Sequence, residues 1–249
     1  MKRANISRAI IWSCLVLLVG AVSFRAASEC RFAVSKYKFG EMTALADKYG
    51  TDKGSGGNLY SEVYEYFFAP IKQTARKVFE IGIDKGASIE MWRDYFPKAT
   101  IYGIDIIDES RFNSGRIKTF IADQANRGDL QRFVHTYGSD FDIILDDGGH
   151  SMRQQQVSLG ALFKHVRSGG YYVIEDLGTS LFEKGSYEID PDGKNTTLDM
   201  VLSYIKTGKI ESKYLSSEEK EYLVSNIIYC NLLFRGSKGK VIGCIFKKR

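Results

Sequence analysis

The stretch Phe141–His150, FDIILDDGGH, restricts the fold more than any other part of the chain. Its front half is almost continuously apolar, which suits a strand buried on both faces in a parallel sheet covered by helices. Its back half holds two carboxylates, two glycines and a histidine. In open parallel sheets ligands bind beyond the carboxyl ends of the strands, where Asp146, Asp147 and His150 fall. Ser151 then opens S-x-x-Q with Gln154, a capping box that starts a helix towards Phe163. The next apolar run, Tyr171–Ile174, ends in Glu175 and Asp176. Two neighbouring strands thus deliver four carboxylates and an imidazole to one sheet edge. Adjacent acids repel there without a cation, and hard oxygen donors suit Mg2+.

The remaining elements fit the same architecture. An amphipathic segment, Glu41–Tyr49, leads into GTDKGSGGN, a loop carrying Thr51, Asp52 and Lys53 that on its own reads equally as a surface turn. Leu59–Phe68 has helical apolar spacing and is closed by Pro70. Lys77–Ile81 is the first strand, with Glu80 near its end, and runs through Gly82 and Gly86 into a helix past Trp92. This turn lets a ligand approach the backbone closely, but its G-x-x-x-G spacing is not the G-x-G-x-x-G of dinucleotide binders. Thr100–Asp105 is the second strand, and Asp105 falls where α/β nucleoside-binding folds bind ribose hydroxyls. Ile117–Ile121 is the third, with Asp123 and Gln124 at its tip. After Asp176 come a polar loop, helices near Leu198–Thr207 and Ser217–Leu223, and a hairpin of Asn226–Phe234 and Lys240–Lys247 turned at Gly236–Gly239. Strand–helix units followed by an antiparallel hairpin give an α/β, Rossmann-like class I methyltransferase fold, with a mostly parallel seven-stranded sheet.

Taken in order, GTDKG, EIGIDKGAS with MWRDYFP, IYGIDI, DQ, DDGGH and YYVIEDL resemble the metal-dependent class I O-methyltransferases that act on sugar hydroxyls of macrolide glycosides. The similarity covers roughly residues 41–182. The resemblance implies S-adenosylmethionine as methyl donor and Mg2+ as cofactor. It assigns donor contacts to Glu80, Gly82, Asp105, Asp123, Gln124 and Asp146, with Thr51, Asp52 and Lys53 on an element that closes over the donor. Asp147, Glu175 and Asp176 match the metal ligands, and His150 the general base. Asn58, Gly149, Gly178 and Leu181 depart from the usual pattern where the acceptor approaches. The implied acceptor is a sugar, glycan or glycosylated small molecule.

Such chemistry needs these residue types. A sugar hydroxyl is a poor nucleophile until deprotonated, and a divalent ion with open positions makes it more acidic while holding it near the methyl group. Singly, His150 and Asp147 read as turn residues; joined to Glu175, Asp176, the glycine turn and Asp105, they read as a site. Two rival readings keep the scaffold but change its use: a hydroxylase-type enzyme, and a membrane-anchored non-catalytic module.

The net charge of +5 is concentrated at the N-terminus. Residues 1–31 contribute about +4, leaving 30 basic and 29 acidic groups elsewhere, so no nucleic-acid footprint is visible. Residues 9–24 are uncharged and mostly apolar behind a basic start, which reads as a signal-anchor or, alternatively, a cleaved signal peptide. Residues 25–40 then form a stem before the domain at 41–249. The expected placement is a single-pass membrane protein facing a Golgi-type lumen, with secretion or a cytosol-facing topology as alternatives; Asn195-Thr196-Thr197 is a glycosylation sequon. The four cysteines form no zinc pattern, and Cys230 and Cys244 read as buried thiols on adjacent strands, a disulfide between them staying open. Self-association is equally open.

Overall fold

In a computed structural model, residues 40–235 and 240–249 are described. Seven strands form one sheet: β1 (Lys77–Ile81), β2 (Thr100–Asp105), β3 (Ile117–Ile121), β4 (Phe141–Asp146), β5 (Val166–Glu175), β6 (Ile227–Arg235) and β7 (Lys240–Lys248). Their spatial order is β3-β2-β1-β4-β5-β7-β6. The first five run parallel, and β7 enters antiparallel beside β5 with β6 at the edge. The chain moves outward from β1 to β3 and returns to β4 on the other side of β1. That reversal opens a crevice at the carboxyl ends of β1 and β4.

Among the described residues, seven α-helices accompany the sheet: α1 (Glu41–Tyr49), α2 (Tyr60–Phe68), α3 (Ala87–Tyr95), α4 (Arg127–Tyr137), α5 (Met152–Leu162), α6 (Thr197–Thr207) and α7 (Ser217–Asn226). The apolar run of β4 is explained by burial on both faces. Ile144 joins one core with Phe79, Phe133 and Tyr172, while Ile143 and Leu145 join the other with Tyr64, Trp92 and Val173. Helices α1 to α3 pack on the second face and α4 to α7 on the first. The predicted capping box is present: the Ser151 side chain accepts from the Gln154 amide while the Gln154 side chain accepts from the Ser151 amide. At the start of α1, buried Glu65 from α2 accepts from the amides of Gly40 (2.5 Å) and Met42 (3.1 Å), satisfying helix donors that have no partner within the helix.

The seven-stranded sheet and terminal hairpin match the sequence reading, with two differences. Strand β5 begins at Val166 rather than Tyr171, because Gly169 and Gly170 are carried through a register irregularity opposite β4. The turn expected at Gly236–Gly239 lies outside the described residues. Cys230 and Cys244 are free thiols. Among the described residues, no helix is long and apolar enough to cross a membrane. The expected anchor at residues 9–24 lies outside them.

One titration follows from the packing. His165, at the carboxyl end of the α5 segment, hydrogen-bonds through Nδ1 to the Ser139 hydroxyl at 2.8 Å. Burial, then the nearby Lys164 and Lys248 charges, lower its pKa to about 4. The unfolded chain therefore takes up this proton first as pH falls, so His165 should add stability above about 6.5 that is lost through about 4. Urea titrations between these pH values should show a smaller acid loss in His165→Gln; an unchanged slope would remove this group from the account.

Candidate active site

At the carboxyl edge of β1, β2 and β4 lies a cleft of about 540 Å³, lined by Gly50–Asp52, Ile81–Lys85, Asp105, Ile106, Asp123, Gln124 and Asp147–Gly149 among others. That volume is typical of small-molecule sites. Two glycines set its floor. Gly82, with φ +90, lies so close to Asp147 that a Cβ would collide with the Asp147 carbonyl oxygen. At Gly148 a Cβ would collide with the Gln124 amide. Only glycine fits at either position, because the chain itself packs against the backbone there.

The charge of the lining is lopsided. Asp52, Asp84, Asp105, Asp123 and Asp147 face one lysine, Lys85. Such a wall favours a cationic ligand and repels phosphates. Asp105 is already anchored: one oxygen accepts from the Ile83 amide at 2.9 Å, the other from the Ile107 amide at 3.0 Å. Ile106 is 70 % exposed and gives the cleft an apolar patch.

Of the residues singled out from the sequence, the structure brings Thr51, Asp52, Gly82, Asp105, Asp123, Gln124 and Asp147 to this cleft. Three others lie behind its wall. Asp146 is fully buried and accepts from Gln124 Nε2 at 2.9 Å and from the Ser158 hydroxyl, while Gln124 Oε1 accepts from the Gly149 amide at 2.7 Å. This Asp146–Gln124–Gly149 bridge holds the DDGGH turn in place. Burial raises the Asp146 carboxyl to about 6, with the Ser158 hydroxyl opposing it. Glu80 is equally buried; Oε2 accepts from Ser88 at 2.6 Å, and burial lifts its pKa to about 7 against the lowering pull of Lys53. Glu175 also lies beneath the surface, with its pKa pushed well up by burial.

Beside the cleft, Asp147, His150 and Asp176 each offer a ligand atom, all within 4.8 Å of one another. His150 Nε2 is 3.5 Å from Asp176 Oδ2 and 3.9 Å from Asp147 Oδ1. Its backbone is left-handed (φ 58), fixed by the Thr179 hydroxyl, which donates to the His150 carbonyl at 3.1 Å. Left-handed backbone in a non-glycine residue concentrates at functional turns. Two carboxylates are the hard donors a divalent ion prefers, and an imidazole tolerates Mn2+-like ions as well. The buried His150 Nδ1 has no partner among the described residues. These groups fit a divalent cation. Asp147 belongs both to this cluster and to the cleft wall.

Sequence reasoning missed two phenols. Tyr60 donates to Asp176 Oδ1 at 2.9 Å and accepts from the Asp176 amide at 3.2 Å. One helical turn later, Tyr64 donates to Glu175 Oε1 at 2.8 Å, and the two rings stack 5.6 Å apart. Y-x-x-x-Y on one helix face was the available signal, hidden because aromatics at that spacing also serve a core. Lys53 is 1 % exposed and reaches Asp147, Glu175 (3.0 Å) and Glu80 (3.7 Å).

No protein-family model matches the chain. Among characterised proteins it is 33 % identical over 209 residues to mycinamicin VI 2''-O-methyltransferase of Micromonospora griseorubida, covering 78 % of this chain and 52 % of that protein. Demethylmacrocin O-methyltransferase of Streptomyces fradiae is 36 % identical over 174 residues, covering 66 % and 44 %. The MycE methyltransferase from the mycinamycin biosynthetic pathway, solved in complex with Mg and SAH, aligns at TM-score 0.70 and 28 % identity over 94 % of this chain and 62 % of that one. This chain is a relative of the sugar O-methyltransferases. It spans about half the length, or less, of the curated relatives it matches. These two relatives come from bacteria, which have no Golgi. This corrects the expected single-pass, Golgi-type placement and the membrane terms that went with it.

For a sugar O-methyltransferase relative, the phenols are a direct structural test. Tyr64→Phe leaves buried Glu175 short of one donor, which costs about 1–3 kcal/mol. Urea denaturation should register a loss in that range; unchanged stability would mean that the hydrogen bond carries no net weight.

Proposed function

We propose that this chain is an S-adenosylmethionine-dependent, Mg2+-assisted O-methyltransferase acting on a sugar hydroxyl of a glycoside. The observation that carries the reading is Asp147, which belongs at once to an acidic cleft and to a metal-competent cluster. A cationic sulfonium with an ammonium group suits that acidic lining, whereas a pyrophosphate does not. Relatives named for methylation of macrolide and rhamnosyl-tetracenomycin sugars support the acceptor class.

The donor supplies an activated sulfonium methyl, and the ion, when bound, makes a ligated hydroxyl more acidic. Gly82 and Gly148 line the cleft in which the donor would lie. Asp105 would accept from the donor's ribose hydroxyls with the lone pairs left beside its contacts to the Ile83, Asp84 and Ile107 amides, and exposed Ile106 would offer apolar surface to the base. Asp147 and Asp176 would hold the ion, the latter oriented by Tyr60, with Glu175 backing them through Lys53. His150 takes the hydroxyl proton at Nε2, the nitrogen facing both carboxylates, as the C–O bond forms and the C–S bond breaks.

On the acceptor side, Leu177–Glu188 is tied to the His150 turn by Thr179 and by the Ser151 hydroxyl, which donates to Glu188 at 2.6 Å. This segment presents Phe182 and Tyr187, exposed and stacked 5.5 Å apart, as a flat apolar face for a sugar ring or aglycone. It also holds Gly178 and Leu181, where the sequence departs from the family pattern.

The test is transfer of labelled methyl to a panel of glycosides, with Mn2+ binding followed in parallel. His150→Ala should lower turnover by about 10²–10⁴-fold, the usual span of general-base catalysis, while retaining Mn2+. Asp147→Ala should lose both. If His150→Ala loses Mn2+ in step with activity, the imidazole is a ligand and the base assignment falls.

A further inference from the structure

Lys53 is the unusual group in this region. Its side chain is 1 % exposed, yet its ammonium meets three acids from three strand ends: Glu80 on β1, Asp147 after β4 and Glu175 on β5. Glu80 and Glu175 are themselves buried. Among the described residues, no other lysine or arginine pairs with these three. Burial alone would discharge the amine; the three acids reverse that and raise its pKa well above the ordinary value. A charged group so placed is costly unless paired, and here one ammonium serves three carboxyl groups.

Its position in the chain gives it a second role. Thr51 and Asp52, the residues just before it, line the cleft. Its carbonyl accepts from the Ser61 amide at 3.0 Å, joining the loop to α2, whose Tyr60 and Tyr64 hold Asp176 and Glu175. The ammonium therefore pins the cleft's outer wall to the sheet edge. It also places a fixed positive charge against Asp147, the residue shared by cleft and cation cluster.

We propose that Lys53 is a positioning residue with two opposed effects: it tethers the Thr51–Asp52 wall for donor binding, and it lowers divalent-ion affinity by occupying part of Asp147's charge. This rests on the methyltransferase reading for the donor arm only. A resident cation of this kind keeps the acids compatible with folding before the ion arrives and leaves the ion exchangeable.

The experiment uses the full chain and titrates Mn2+ by electron paramagnetic resonance and S-adenosylhomocysteine by calorimetry, in wild type, Lys53→Met and Lys53→Gln. Removing a unit charge a few ångströms from a divalent ion should tighten Mn2+ by about tenfold or more in both variants. Lys53→Met should weaken the thioether ligand, and Lys53→Gln, which keeps a hydrogen-bond donor, should weaken it less. A merely structural lysine would lower both affinities or neither. Mn2+ affinity unchanged or reduced in a folded variant overturns the proposal, as does an absence of Mn2+ binding in all three proteins. Tightened Mn2+ with no ligand binding even in wild type supports the charge role and instead removes the methyltransferase reading. Should a variant unfold, refolding on Mn2+ addition supports the counter-charge role, and unfolding that Mn2+ does not reverse in either variant contradicts it.

Discussion

Parallel strands in register bring like charges together. The pairing of Ile81 with Asp146 and of Asp146 with Ile174 sets the ends of β1, β4 and β5 side by side. Each of those ends carries acid: Glu80, then Asp146 and Asp147, then Glu175 and Asp176. Most of the surrounding structure answers that crowding. Asp146 is held by Ser158 and Gln124, Glu80 by Ser88, Glu175 by Tyr64 and Lys53, and Asp176 by Tyr60. What is left facing outward is the edge of Asp147, with His150 and Asp176 beside it. The site is the part of the acidic edge that the fold neutralises only in part: Lys53 meets one oxygen of Asp147, and the other lies beside His150.

This separates two kinds of acid that look alike in sequence. Buried acids act as architecture: Asp146, through Gln124, fixes the turn that presents His150, and Glu80 anchors Lys53 from below. Acids at the surface of the cleft, Asp105 and Asp147 among them, form its lining. An approaching cation finds a rigid, pre-oriented wall rather than mobile side chains, which lowers the ordering cost of binding.

Much of this was legible in the sequence. The doubly buried character of β4, the capping box at Ser151 and the acidic ends of adjacent strands all followed from local pattern, because each rests on short-range rules of burial and capping. Other features depend on contacts between distant segments. Nothing local said that Lys53 would be buried 94 residues from Asp147 and 122 from Glu175, or that Tyr60 and Tyr64 would meet that same acidic edge. Glu80 and Asp146 looked like ligand contacts because strand ends usually are; register and depth, which sequence does not encode locally, put them behind the wall. The apolar run at residues 9–24 suggested a membrane placement that neither the described helices nor the relatives support.

The central claim is that the cleft is built for a cationic sulfonium donor rather than for a phosphorylated nucleotide. Calorimetric titration of S-adenosylmethionine into the full chain with Mg2+ present, with NADH as the charge control, tests it most directly. Saturable binding of S-adenosylmethionine with no measurable NADH binding is the predicted result. A folded protein that binds NADH, or that gives no heat with S-adenosylmethionine, would contradict it.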